Sequence, residues 1–217
     1  MKRELNTYFI YAGIFAPLTV MFFITFFGLL WQGDSFFYQY ISALGSETSP
    51  FRLFNNIFAF ALFGIVLLGV AFNLDAALPA NRFTRDGTRL LMAGGALIFL
   101  LSLFPTDLRF ADATLHGKLH TILGSLAFLF VPIGILWYAR SFRLDERWNR
   151  FWPAISYVFA AISLTSAVIL QAFPKYPNAG WIERFGIGAG LLWISAVSIN
   201  LLFIDISNRI DKKFATK

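Results

Sequence analysis

The stretch YFIYAGIFAPLTVMFFITFFGLLW, residues 8–31, decides the fold, because it contains no charged residue. A helix needs about 20 mostly apolar residues to cross the hydrocarbon core of a bilayer, and this stretch is long enough. Comparable stretches follow at residues 53–74, 88–104, 119–139, 153–172 and 185–204. Their apolar runs are continuous and do not alternate, which predicts helices and excludes a β-barrel. The sequence therefore predicts an all-α, polytopic membrane bundle of six transmembrane helices, formed by a single domain over residues 1–217.

Composition supports the same interpretation. The 217-residue chain is 58% hydrophobic, has 27 Phe, and has a mean hydropathy of +0.65. Charged residues make up 14%, against about 25% in soluble domains. These values exclude a soluble globular domain and a disordered chain. The chain has no Cys, which excludes disulfide scaffolds, thiolate metal sites and cysteine nucleophiles.

The distribution of basic residues predicts the orientation. If the N-terminus lies in the cytoplasm, 13 of the 18 Lys and Arg residues face the cytoplasm. Cytoplasmic loops are enriched in Lys and Arg, so both termini are predicted to be cytoplasmic. The net charge of +6 then faces anionic lipid, and no nucleic-acid partner is needed to explain it.

Ionisable residues avoid the centres of the spans and gather on the predicted outer face. This pattern disfavours an ion-coupled transporter and a retinal pigment, which both need charge within the membrane. The two His residues share one predicted helix, which disfavours a bis-His haem. Seven polar residues on the outer face are therefore the candidate ligand-binding residues: Arg52, Asn55, Asp107, His116, His120, Glu183 and Arg184.

His116 and His120 are four residues apart, so they project from the same face of a helix. Two imidazoles at this spacing can bind one Zn²⁺, and Asp107, Asp112 or Glu183 could supply a third ligand. Against a metal, the sequence has no HExxH motif, and Lys118 would repel a cation. The alternative is that both imidazoles form hydrogen bonds with carboxylates or lipid headgroups.

Two other chemical interpretations stay open. Ser42 or Ser46 could act as a nucleophile with one of the two His as its base, although no GxSxG motif is present. Arg184 either forms an ion pair with Asp107 or Glu183, which would close the bundle, or binds phosphate together with Arg52 and Arg109.

Two structural features complete the pattern. Gly186, Gly188 and Gly190 give the sixth helix a face of small residues, which favours close helix packing. Residues 40–45, in the first outer loop, form an amphipathic segment that we expect to lie along the membrane interface.

Several short motifs resemble the domain of unknown function 998 family. They are Tyr40-Ile41-Ser42-Ala43-Leu44-Gly45, Phe54-Asn55, Phe104-Pro105 with Asp107, His116-Gly117 with His120, and Gly180 with Glu183-Arg184. The resemblance covers nearly the whole chain and implies a bacterial or archaeal membrane protein with about six helices. A multi-pass protein of the prokaryotic cytoplasmic membrane is therefore expected. The resemblance implies a shared polar cluster on the outer face and no established reaction.

Three functions compete at this point. The preferred one is a binding protein whose outer-face His/Asp/Arg site holds a lipid headgroup or another amphiphile, with membrane lipids as its partners. The second is a metal-assisted hydrolase or transferase acting on a lipid, with zinc held by His116, His120 and Asp107. The third is a structural or accessory subunit, which would associate with a second copy or with a partner subunit.

Overall fold

The computed structural model describes residues 4–32, 36–108, 114–173 and 177–215, and these contain helices and no strand. The six long helices are α1 (Thr7–Gln32), α2 (Arg52–Ala77), α3 (Arg82–Leu101), α4 (Leu115–Phe142), α5 (Phe151–Ala172) and α6 (Ala179–Ala215). A short 3₁₀-helix, Ile41–Gly45, precedes α2, and α2 contains a π-helical stretch over Asn55–Leu62. The prediction of an all-α protein is confirmed.

Five of the six helices are long and apolar enough to cross a membrane, namely α1, α2, α4, α5 and α6. The chain is thus a multi-pass membrane protein. Helix α3 differs from the prediction, because it begins at Arg82 and its first two turns carry charged residues. It begins there because the Asn81 side chain accepts a hydrogen bond from the Thr84 amide (3.0 Å) and caps the helix. Five predicted spans are therefore confirmed by length and composition. The remaining one, the third span, is present as helix α3.

The helices form a closed ring. Each helix packs against the next one in sequence, and α6 returns to pack against α1. Contacts between Thr7 and the residues Asp205 and Arg209 join the start of α1 to the last turns of α6. We call this end of the ring the terminal end, and the opposite end the loop end.

Aromatic side chains fill the ring in its terminal half. Tyr138, Phe142, Trp148 and Trp193 are almost completely buried, and Phe142 stacks on Trp148 with ring centroids 4.0 Å apart. The Tyr138 hydroxyl lies 2.8 Å from the Thr88 hydroxyl, so its polar atom is satisfied within this core. The terminal half is therefore densely packed.

Arg147 fastens the connection between α4 and α5 to the end of α2. Its guanidinium donates to the carbonyl of Ala77, and it pairs with Asp145 at 2.6 Å. The hydrogen bond from Arg147 to Asp145, together with the charge of that carboxylate, raises the pKa of Arg147 above its usual value. A permanent cation thus meets the last carbonyls at the C-terminus of α2, where positive charge is favourable.

Candidate ligand-binding cavity

The loop-end half of the ring encloses a cavity of about 890 Å³. Residues from all six helices and from the segment 40–42 line it, and most of them are apolar. Its deep part is formed by aliphatic side chains such as Leu67, Val131 and Ile194. A volume of this size lies within the range of small-molecule sites, which are typically apolar with a few polar groups.

Missing side chains help to create this space. At Gly190, an added Cβ would meet its nearest neighbour, the Ser163 hydroxyl, at 4.0 Å, and at Gly124 the nearest atom of Leu101 is equally distant. Both glycines line the cavity. Gly186 is different, because an added Cβ there would lie 2.6 Å from the Cβ of Ser166. Close packing, the predicted role of these small residues, thus occurs at Gly186, while Gly190 has room for a Cβ without a clash.

The cavity reaches the surface between α4 and α5. Four of its lining residues on these two helices are exposed, namely Lys118, Thr121, Ile122 and Gln171. The Gln171 amide donates a hydrogen bond to the Ser125 hydroxyl on α4, so one polar contact crosses this opening. The sequence interpretation missed Gln171 and Ser125, although a Gln and a Ser inside otherwise apolar spans were a signal for a polar contact there.

His120 is the most distinctive polar residue of the cavity wall. It lies in the second turn of α4, is 6% exposed, and its ring packs edge-on against Phe60. Its Nδ1 lies 2.7 Å from the carbonyl oxygen of Phe104. A carbonyl only accepts hydrogen bonds, so Nδ1 must carry a proton. Nε2 has no hydrogen-bond partner among the residues that the structure describes.

Glu183 lies in the first turns of α6 and is 7% exposed. One of its carboxylate oxygens accepts a hydrogen bond from the Ile41 amide. This contact brings Tyr40, Ile41 and Ser42 to the loop end of the cavity, where they form part of its wall. Within the described part of the chain, no hydrogen bond reaches the second carboxylate oxygen.

Asp107 also lines the cavity, but its carboxylate is engaged in capping α4. Its two oxygens accept hydrogen bonds from the Thr114 amide (2.8 Å) and the Thr114 hydroxyl (2.9 Å). The Thr114 hydroxyl in turn accepts from the Gly117 amide, and an added Cβ at Gly117 would collide with Asp107. Negative charge at a helix N-terminus is stabilising, so Asp107 has a sufficient structural role.

The structure does not assemble the predicted zinc site. His116 is exposed, lies beside the ring of Phe104, and does not line the cavity that contains His120. In the described ranges, no group of three or more His, Cys, Asp and Glu residues could hold a metal ion. Asp112, an alternative ligand, lies outside the described residues, as does Arg109. The ligand set of His116, His120 and Asp107 therefore does not fit zinc as the residues stand.

Arg184 holds the connection between α1 and α2 rather than lining the cavity. Its guanidinium donates to the carbonyls of Gln39 (2.9 Å) and Gly180 (3.0 Å) and lies 3.8 Å from the ring centroid of Phe36. An added Cβ at Gly180 would collide with the Gln39 carbonyl, so the glycine permits this close approach. Within the segment 40–45, residues 41–45 are mostly buried against the bundle, and the position of this segment along the membrane interface stays a prediction.

The remaining predicted residues lie elsewhere. Arg52 is exposed at the start of α2. Asn55 is buried and lines a second cavity of about 310 Å³ between α1 and α2, which is rich in Phe. Of the two candidate serine nucleophiles, Ser42 lines the main cavity with His120, whereas Ser46 does not and pairs with the Thr48 hydroxyl at 3.3 Å.

A family model described as a protein of unknown function (DUF998) matches residues 14–200. The match covers well over half of the chain, which therefore belongs to this family, as the sequence motifs predicted. Neither a curated protein nor a solved structure matches the chain.

Proposed function

We propose that this DUF998 member is a membrane binding protein that holds a single amphiphilic molecule in its central cavity. The observation that carries the proposal is the asymmetry of the cavity: about 890 Å³ of mainly apolar space, with His120 and Glu183 buried in its wall at the loop end. The apolar chain of the ligand would lie against Leu67 and Val131, and its headgroup would lie beside His120 and Glu183.

Energetics favour occupation of this space. A polar atom without a partner in a largely buried side chain costs free energy, and Nε2 of His120 has no partner among the described residues. Apolar walls that face a void lose their dispersion contacts. A ligand with one polar end and one apolar end removes both costs together, whereas water satisfies only the polar end.

The opening between α4 and α5 gives a route for such a ligand. Thr121 and Ser125 lie two to three turns into α4, and Gln171 lies in the last turn of α5; both helices are long and apolar enough to cross a membrane. In a bilayer, this opening would face lipid in one leaflet. We place the loop end on the outer side of a prokaryotic cytoplasmic membrane because of the positive-inside distribution of Lys and Arg.

Helix α3 completes this arrangement as the sixth span. Its charged residues lie in its first turns, at the terminal end, where Arg82, Arg85 and Arg89 would meet the anionic headgroups of the cytoplasmic leaflet. The later turns of α3 are apolar, and Ile98 and Leu101 line the cavity. Both termini are cytoplasmic in this proposal.

The test is native mass spectrometry of the purified protein with its co-purified lipids. We expect one tightly retained amphiphile per chain in the wild type and about tenfold lower retention in His120→Phe, which keeps a ring but loses the hydrogen bond. The matched control is His116→Phe, the same substitution one turn earlier on α4, at an exposed position outside the cavity. Equal retention in both variants, or no retained molecule in the wild type, would overturn the proposal.

A further inference from the structure

We propose that the headgroup is uncharged and donates hydrogen bonds, so that the ligand is a hydroxyl-ended lipid such as a long-chain alcohol or an acylglycerol. This inference rests on the proposed function and specifies the chemistry of the ligand. It follows from the direction of the hydrogen bonds at the polar end of the cavity.

His120 offers an acceptor to the cavity. Because Nδ1 donates its proton to the Phe104 carbonyl, the neutral ring keeps a lone pair on Nε2. Nε2 lacks a partner in the described ranges, while the side chain is 6% exposed and belongs to the cavity wall. A ligand that meets this atom must supply a proton donor.

Glu183 offers a second acceptor. The Ile41 amide uses one carboxylate oxygen, which leaves the other oxygen to accept from a ligand. A hydroxyl can donate to either residue, and a molecule with two hydroxyls can donate to both. A carboxylate or a phosphodiester has no proton to donate and would face two acceptors.

The charges of the cavity wall also disfavour an anion. Its charged residues are Asp107, Glu183 and Lys118, and no arginine of the described chain lines it. Lys118 is exposed, and Arg184 lies with its guanidinium on the Gln39 and Gly180 carbonyls. A buried phosphate needs charge-assisted donors such as a bidentate arginine, and the wall does not supply them.

A cationic headgroup is disfavoured for a different reason. It would have to leave water and pair with Glu183 inside a mainly apolar cavity, and the desolvation of two ions is expensive. A hydroxyl forms the same hydrogen bond at a much smaller desolvation cost. The uncharged donor is thus the headgroup that matches both the geometry and the polarity of the site.

The test compares probes that share one C18 chain, so that only the headgroup changes. Purified protein in detergent is loaded with tritiated oleyl alcohol, which is then displaced by oleyl alcohol, oleyl methyl ether, oleyl sulfate or oleylamine. The methyl ether keeps the chain and the acceptor oxygen, but a methyl group replaces the proton that the alcohol can donate. We expect the alcohol to bind about tenfold more tightly than the ether and the sulfate, and more tightly than the amine.

Two variants separate the headgroup chemistry from folding. In His120→Phe, the preference for alcohol over ether should shrink severalfold, while in His116→Phe it should stay as in the wild type. The choice of headgroup would be overturned if the sulfate or the amine bound more tightly than the alcohol, or if the alcohol and the ether bound with nearly equal affinity. Either result would leave the proposal of amphiphile binding intact. Failure of every probe to bind saturably would instead overturn the proposed function.

Discussion

Filling the cavity from within should stabilise the protein and block ligand binding together. Gly190 is the position for this change, because an added Cβ meets no atom closer than 4.0 Å and the residue lines the cavity. Replacing a glycine inside a helix by leucine stabilises the helix by about 1 kcal/mol. For a chain of this length, that gain corresponds to a rise in melting temperature of about 3 °C.

The same leucine should weaken binding, because a ligand must then be compressed or displaced. Overpacking of a filled interior costs about 1–3 kcal/mol, which predicts an affinity loss of at least about fivefold in Gly190→Leu. The matched control is Gly188→Leu on the same helix. An added Cβ at Gly188 also meets its nearest atom at 4.0 Å, but Gly188 does not line the cavity.

The assay combines thermal unfolding of ligand-free protein in detergent with displacement of tritiated oleyl alcohol. Both leucine variants should melt at or above the wild-type temperature, and Gly190→Leu alone should lose affinity. If Gly190→Leu binds as well as the wild type while remaining folded, the cavity is not the binding site. If both variants lose affinity equally, the effect comes from the helix as a whole, and the reasoning from cavity volume is refuted.

Two further changes test the opening and the acidic residue. Because the chain has no Cys, Ser125→Cys combined with Gln171→Cys can be bridged by a short bis-methanethiosulfonate reagent. We expect bridging to slow probe uptake at least tenfold and reduction to restore it, whereas either single-cysteine variant treated alike should keep the wild-type rate. Glu183→Ala leaves the Ile41 amide without its acceptor, at a cost of about 1–3 kcal/mol, and should lower the melting temperature by several degrees. Glu183→Gln keeps an acceptor oxygen and should melt near the wild type, so equal destabilisation of the two variants would contradict this role.

The helices were predictable because the constraint on them is local. A membrane span requires a continuous apolar run, and such runs are visible in the sequence without knowledge of tertiary contacts. Helix α3 shows the limit of that argument. Its start is fixed by the cap at Asn81, which lies outside any apolar run, so hydropathy placed the beginning of the helix too late.

The candidate site was only partly predictable. The sequence gives the position of each residue along a helix, but it does not say whether the side chain faces the cavity. Asp107, His120 and Glu183 line one cavity, whereas the other candidate ligand-binding residues do not line it. His116 has the spacing of a metal ligand but is exposed, because two residues on one helical face still differ in depth. Spacing predicts the face of a helix, whereas burial depends on what packs against each turn.

Glycines show the same limit in another form. Gly186 and Gly190 are both glycines on one face of α6, four residues apart. From the sequence, we assigned both to close helix contacts. In the structure, an added Cβ at Gly186 would collide with Ser166, whereas one at Gly190 would meet no atom closer than 4.0 Å. A cavity arises from what neighbouring helices fail to fill, and no motif within a single helix encodes that.

The residues of this chain that suggested the family also differ in the effect that their replacement should have. Arg184 and Gly180 hold the backbone at Gln39, directly before Tyr40, Ile41 and Ser42. These three residues form part of the loop-end wall of the cavity. Arg184→Met should therefore weaken binding without removing any contact to the ligand. In Arg184→Met, the affinity for the alcohol, ether and sulfate probes should fall by the same factor, because all three contact this wall. In His120→Phe, by contrast, the order of the three affinities should change. A change of ranking in Arg184→Met would show that its guanidinium reaches the headgroup, and would restore the anion-binding role that its hydrogen bonds to Gln39 and Gly180 argue against.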